Sequence, residues 1–203
     1  MPLTKTKKTE KYTYAIWKIE ENSDHLLKLL KPNKYELKLI KNITNQKRKD
    51  QSIAAKILLN YILEKKTTVF YNGKAPYCKE FSNISITHSD NYAAVLLSEK
   101  KIGIDLQKEE QKIIMLKNKF LSKKNEKNNY STEDLHFIWT AKEAIYKTLN
   151  EFNCSIKKNI FIAENKKTGY FINEYKKIEY NLESTKIYNL YLTIAIKKHE
   201  KNK

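Results

Sequence analysis

The sequence predicts an α+β protein built from two halves of similar size, and three observations carry that prediction. Short segments with period-two alternation of β-branched and aromatic residues occur in both parts of the chain. Stretches with apolar residues at three- and four-residue steps lie among them. The 203 residues suffice for one domain or for two packed halves of about 100 residues each, and exclude a large multidomain machine.

In chain order, residues 12 to 19 (YTYAIWKI) alternate as a strand does. A helix follows over residues 45 to 64, where Ile53, Ile57, Leu58, Tyr61 and Ile62 recur at helical spacing and leave Arg48, Gln51, Lys56 and Asn60 toward the wet side. VFYNGKAPY (69 to 77) reads as a loop turning at Asn72-Gly73. Three apolar runs come next as neighbouring strands: ISIT (84 to 87), YAAVLLS (92 to 98) and KIGIDL (101 to 106). The second half repeats the pattern, with helices near 111 to 123 and 132 to 149 and strands near 159 to 164, 169 to 175 and 187 to 196. In the last of these Tyr188, Leu190, Leu192, Ile194 and Ile196 share a face. The join falls near residue 100, giving parts 1–100 and 101–203 with no Pro, Gly or Ser-rich linker between them.

Composition narrows the function. No apolar run approaches the roughly 18 residues that span a bilayer, and the N-terminus lacks the apolar segment of a signal peptide, so a soluble cytoplasmic protein without a membrane partner is expected. Cys78 and Cys154 fit no CxxC or Cys/His ligand spacing, which points to reduced, structural thiols. The formal charge of +17 calls for a polyanionic partner: a nucleic acid, a phosphorylated cofactor or an acidic protein. Arg48 is the single arginine, and the lysines are scattered rather than gathered, which disfavours sequence-specific DNA readout and leaves phosphate binding open. No nucleophile elbow, Walker loop or GxGxxG occurs.

The residues suited to chemistry are few. Asp105 is placed at a strand end between apolar residues as a hard-metal ligand, and Gly103 beside it lacks a side chain that would keep a ligand from the backbone. Taken alone, such an aspartate is more often a turn or capping residue. Glu143 and Lys147 stand four apart on a helix whose apolar face is Leu135, Ile138, Trp139, Ile145, Tyr146 and Leu149; taken alone, an ordinary i,i+4 ion pair is the better account of the two. Lys142 interrupts that face and must snorkel or meet an anion. His88, after ISIT and before Ser89-Asp90, lies in a turn that can bind phosphate, although a lone histidine there is usually only a turn residue.

In this order, IGIDLQ (102 to 107) and IWTAKEAIYK (138 to 147), with 143 minus 105 giving 38 positions between their carboxylates, resemble the signature of the Sfp-type 4'-phosphopantetheinyl transferases. NGKAPY (72 to 77), ISITHSDNYAAVLLS (84 to 98) and KFLSKKNE (119 to 126) resemble further segments of that family, and the likeness extends over residues 30 to 196. It implies two similar α/β halves related by a pseudo-two-fold, with the active site in the cleft between them. The implied reaction moves the 4'-phosphopantetheine of coenzyme A onto a serine of an apo acyl or peptidyl carrier protein and releases 3',5'-ADP. Asp105 and Glu143 would hold magnesium, with Glu143 also the candidate base. Lys147 matches the pyrophosphate lysine, and Gly73, Lys74, Pro76, Thr87, His88 and Ser89 match coenzyme A contacts; Lys34, Arg48 and Lys56 are weaker phosphate candidates.

Two positions depart from the pattern. Gln51 stands where the family has an arginine, and Gln107 where it usually has a glutamate, so Gln107 would be a neutral third metal ligand or orient a metal-bound water. An acidic carrier suits the basic surface, and two halves in one chain favour a monomer. A rival enzyme reading takes Asp90 with Glu99 and Lys101 as the D…ExK of a metal-dependent nuclease, and a third makes the chain a binder of an acidic carrier without catalysis; neither accounts for the ordered motifs.

Overall fold

A computed structural model describes residues 3–73, 75–81, 83–122, 129–149 and 154–202. The fold is mixed α+β, and the chain forms two compact units, Met1–Glu99 and Lys100–Lys203. Among the described residues no helix is long and apolar enough to cross a membrane.

The first unit holds β1 (Leu3–Lys8), β2 (Thr13–Lys18), α1 (Ser23–Leu30), α2 (Lys34–Lys41), α3 (Gln46–Leu63), β3 (Phe70–Asn72), β4 (Ala75–Tyr77), β5 (Asn83–Ser89) and β6 (Tyr92–Ser98). Its main sheet is antiparallel in the order β1-β2-β6-β5. Each helix starts at an asparagine whose side chain accepts a backbone N–H that the helix cannot satisfy itself: Asn22 from His25, Asn33 from Glu36, Asn45 from Arg48. Glu36 reciprocates onto Asn33 as a capping box. Ala15 and Trp17 of β2, with Ala93, Val95 and Leu97 of β6, lie on one face of the sheet by period-two geometry and form a single core with Leu26, Leu30, Ile40 and most of α3.

Neither α1 nor α2 follows from the apolar periodicity, and their presence corrects the picture of α3. Gln51 and Lys56 are buried, at 6% and 3% exposure, because α3 packs against α1 and α2 as well as the sheet and keeps little wet side. The Asn72-Gly73 turn closes a β3–β4 hairpin, with Asn72 opposite Ala75. Gly73 has φ +61 with open space where a Cβ would stand, so glycine serves the left-handed turn and not a close contact. Lys74 lies outside the described residues.

The second unit holds β7 (Ile102–Lys108), α4 (Ile113–Phe120), α5 (Thr132–Lys147), α6 (Ile156–Asn159), β8 (Ile160–Ile162), β9 (Thr168–Ile172), β10 (Lys176–Ile187) and β11 (Leu190–Asn202). Its antiparallel sheet runs β7-β11-β10-β9-β8. β10 was not anticipated: Ile178, Tyr180 and Leu182 point into the core while Lys, Glu and Asn fill the alternate positions and hide the strand in a polar string. Tyr188 does not share the face of Leu190, Leu192, Ile194 and Ile196. It occupies the two-residue β10–β11 turn with φ 53 and is 85% exposed.

α5 carries its own capping box, Ser131 with Asp134. One side packs Ala141, Ala144 and Ile145 on Phe171, Tyr180, Leu182 and Ala195, and another packs Leu135 and Ile138 against Ile113 and Phe120 of α4. The closest approach is at Gly103. A Cβ there would clash with the Ala144 carbonyl oxygen, far inside van der Waals contact, so this glycine admits the backbone of α5 to β7 rather than a ligand. Gly103 thereby sets the spacing between α5, which carries Glu143, and β7, which carries Asp105.

Candidate active site

Asp105 is not at a strand end. β7 continues to Lys108, and Asp105 sits in mid-strand opposite Thr193 of β11, on the same sheet face as Gly103 and Gln107. That face lies under α5, so Asp105 is buried at 6% exposure. From the helix side, His136, Thr140, Glu143 and Lys147 fall at i, i+4, i+7 and i+11 and make one polar stripe toward β7 and β11.

Lys147 closes the stripe onto the strand. Its ammonium donates to Asp105 Oδ1 at 2.7 Å and to the Ile104 carbonyl at 3.0 Å. Glu143, one helical turn earlier, is half-buried. Burial first, and then the neighbouring Asp105 charge, push its carboxyl up to about 7, with Lys147 pulling the other way. Two carboxylates therefore share a mostly dry space with Lys147, an arrangement that favours an added cation. Thr140 Oγ1 lies 2.8 Å from Thr193 Oγ1, which is 3.0 Å from Ser184 Oγ, so a row of hydroxyls ties α5, β11 and β10 together beside the acids.

Lys142, adjacent to Glu143 in sequence, neither snorkels nor meets an anion. At 4% exposure it donates to the carbonyls of Ile156, at 3.0 Å, and Ile160, clamping α6 and β8 to α5. Burial pushes its amine down to about 8. It is a structural donor facing away from the acidic pair.

In the first unit, His88 belongs to β5 and not to a turn; it lies on the sheet face of Ile84 and Ile86, whereas Thr87 and Ser89 lie on the opposite face. The turn is at Asp90-Asn91, with Asp90 at φ 51. α3 reaches it twice: Gln51 Nε2 donates to the Asp90 carbonyl at 2.7 Å, and Lys47 pairs with the Asp90 carboxylate. Gln51 is thus committed to the hairpin. Arg48 is exposed on the first turn of α3, and Lys34 is exposed at the start of α2. Lys56 points inward and donates to Ser52 Oγ at 2.9 Å; its burial removes it from the surface where a phosphate would arrive.

The nuclease arrangement fails on geometry. Asp90 and Glu99 lie at opposite ends of β6, about 23 Å apart for a seven-residue strand.

Around the β3–β4 hairpin, Tyr35, Phe70 and Tyr77 form a partly exposed run of rings, with centroids 5.4 and 5.7 Å apart. Pro76 stands opposite Tyr71 in the same hairpin. This ring platform escaped sequence reading because Tyr35 is far from the hairpin in the chain; Thr140, Thr193 and Ser184 escaped it because hydroxyls inside apolar segments look incidental.

Asp105, Glu143 and Gln107 offer hard oxygen donors, and magnesium takes one or two carboxylates and keeps its remaining positions for water and phosphate. Such an ion fits the set: beside a carboxyl raised first by burial and then by the Asp105 charge, it would offset the second of these. Among the described residues no group of three or more His, Cys, Asp or Glu side chains converges, so a two-carboxylate site is the form available. No protein-family model matches the chain, and no curated protein matches it.

Proposed function

We propose that this chain is a 4'-phosphopantetheinyl transferase, carrying the phosphopantetheine arm of coenzyme A to a serine hydroxyl of an apo acyl or peptidyl carrier protein and releasing 3',5'-ADP. The observation that carries the proposal is the meeting of Asp105, Glu143 and Lys147, three residues of the two resembling motifs, on one strand and one helix held together at Gly103.

A magnesium ion held by Asp105 and Glu143, with Gln107 as a neutral donor or the holder of a bound water, would supply charge neutralisation on the pyrophosphate oxygens. Lys147 stands beside Asp105 as the cation available to a phosphoryl oxygen, once it exchanges its present carboxylate. Glu143, directly or through a water, takes the proton of the carrier serine. The serine oxygen then forms a bond to the phosphorus bearing the pantetheine, the bond to the bridging pyrophosphate oxygen breaks, and the electron pair leaves with 3',5'-ADP.

Coenzyme A binding is assigned to Thr87, His88 and Ser89 of β5, to Gly73 and Pro76 of the β3–β4 hairpin, and to Lys74, which lies outside the described residues. Lys34 and Arg48 serve as exposed phosphate contacts, and the rings of Tyr35, Phe70 and Tyr77 form a surface for the adenine. We further propose that the two units are similar α/β halves. What supports the likeness is that each unit packs one long central helix, α3 or α5, on an antiparallel sheet.

The charge of +17 suits an acidic carrier met in the cytoplasm by a monomer, with association weakened by salt. Incubating the protein with coenzyme A, magnesium and a panel of apo carrier proteins, then weighing the carriers by mass spectrometry, tests the proposal. A carrier that binds without gaining mass would favour a non-catalytic carrier binder.

A further inference from the structure

His136 is wholly buried near the start of α5, seven residues before Glu143, in a setting the transfer reaction does not use. Its ring stacks on Tyr191 of β11 at 4.6 Å with an interplanar angle of 3°. Its Nε2 accepts the backbone N–H of Glu110 at 3.1 Å, just beyond β7 on the way into α4. An accepting Nε2 carries no proton, so the neutral ring holds its proton on Nδ1, a buried atom without a hydrogen-bond partner among the described residues.

We infer that His136 is a neutral-state latch: the unprotonated Nε2 pins the corner between β7 and α4 through the Glu110 amide, and protonation releases that corner. A proton on Nε2 would turn the acceptor into a donor facing a donor, leaving the Glu110 N–H and both ring N–H groups unsatisfied in the interior.

The charges around the ring pull in both directions. Glu109 accepts from Tyr191 Oη at 2.9 Å and from Lys186 at 3.1 Å; Glu110 pairs with Lys112; and Lys186 lies 4.8 Å from the Tyr191 ring centroid. The two carboxylates and the Tyr191 face would welcome an imidazolium. Both carboxylates are already engaged by lysines, and burial, the largest influence, holds the His136 pKa below its ordinary value. The folded state therefore refuses a proton that the unfolded chain accepts near 6.5. The latch's contribution to stability is whole above that pH and declines as pH falls below it.

The corner matters because β7 bears Asp105 four residues before Glu109, and its other ties, Glu109 N–H to the Asn189 carbonyl at 2.7 Å and the Glu109 side-chain contacts, do not depend on His136. Release is thus local: the amide of Glu110 and the start of α4 open while the sheet stays paired.

The test is amide hydrogen exchange of the full chain read by NMR, corrected for intrinsic chemistry. In the wild type, protection at Glu110 is expected to fall from about pH 7.5 to about pH 5, by about tenfold per pH unit once His136 titrates, while β10 and β11 amides hold. His136→Gln, which offers an acceptor that does not titrate, should keep Glu110 protected across the range; His136→Phe, which keeps the stacking but not the acceptor, should leave it unprotected at every pH. Wild-type protection that does not change with pH, or a Gln variant with the wild-type decline, would overturn the latch. Should the variants fail to fold, the tautomer of His136 in the wild type decides: a proton on Nε2 at neutral pH contradicts it, and one on Nδ1 that is joined by a second only in acid supports it.

Discussion

Lys147 donates to Asp105 Oδ1 at 2.7 Å while the same ammonium holds the carbonyl of Ile104, the residue before Asp105, at 3.0 Å. Helix α5 is thereby fastened to the strand whose carboxylate it faces. Both side chains are mostly buried, Asp105 at 9% and Lys147 at 25% exposure, so removing either takes away the opposite charge that the other faces. A cycle of Asp105→Asn, Lys147→Met and the double variant should show a coupling of about 2 kcal/mol in urea unfolding, less than a fully buried pair because Lys147 reaches solvent. Additive effects would mean that the pair is ornamental.

Gly103→Ala should separate the two elements. The new Cβ meets the Ala144 carbonyl, which belongs to backbone and cannot swing aside, so α5 must move off β7. The expected loss is about 3 kcal/mol. Since Glu143 precedes Ala144, transfer should fall further than the folded fraction does. Calorimetry together with turnover per folded molecule separates the two effects.

Acid should weaken the first unit through Glu80. The Thr67 hydroxyl donates to Glu80 Oε2 at 2.6 Å and, as the largest influence, holds the carboxyl at about 2 instead of 4.5. A depressed carboxyl contributes stability above pH 4.5 and loses it as pH falls toward 2. Glu80→Gln should flatten that part of the acid limb in a pH series of thermal midpoints. An unchanged acid limb would show the bond to be absent in solution.

Gln107 is the residue at which the acidic pair departs from the resembling family. Its side chain lies on the sheet face of Asp105, two residues on, opposite Tyr191. Gln107→Glu adds a hard donor and should lower the magnesium concentration that half-saturates turnover. An unchanged magnesium dependence would remove Gln107 from the metal's surroundings.

That Glu143 and Lys147 share a helix face at i,i+4 and that Asp105 belongs to an alternating apolar strand was legible from period alone, whereas the motif resemblance, not the periods, singled the three out. Their depth was not. Asp105 looked terminal because β10 and β11, whose hairpin supplies its partner Thr193, lie about eighty residues away and half of that hairpin reads as a polar string. Gln51 and Lys56 looked wet because the two short helices that cover α3 announce themselves by asparagine caps rather than by apolar spacing. Lys142 drew attention as a cation on an apolar face, but nothing in its neighbours reveals that two distant backbone carbonyls receive it.

The central claim rests on transfer itself. The decisive measurement is the mass of an apo carrier protein after incubation with coenzyme A, magnesium and either the wild-type chain or its Asp105→Ala and Glu143→Ala variants. A gain of one phosphopantetheine with the wild type, nearly absent with both folded variants, is predicted. No gain on any carrier across fatty-acid, polyketide and peptide classes, or an equal gain with the variants, would contradict it.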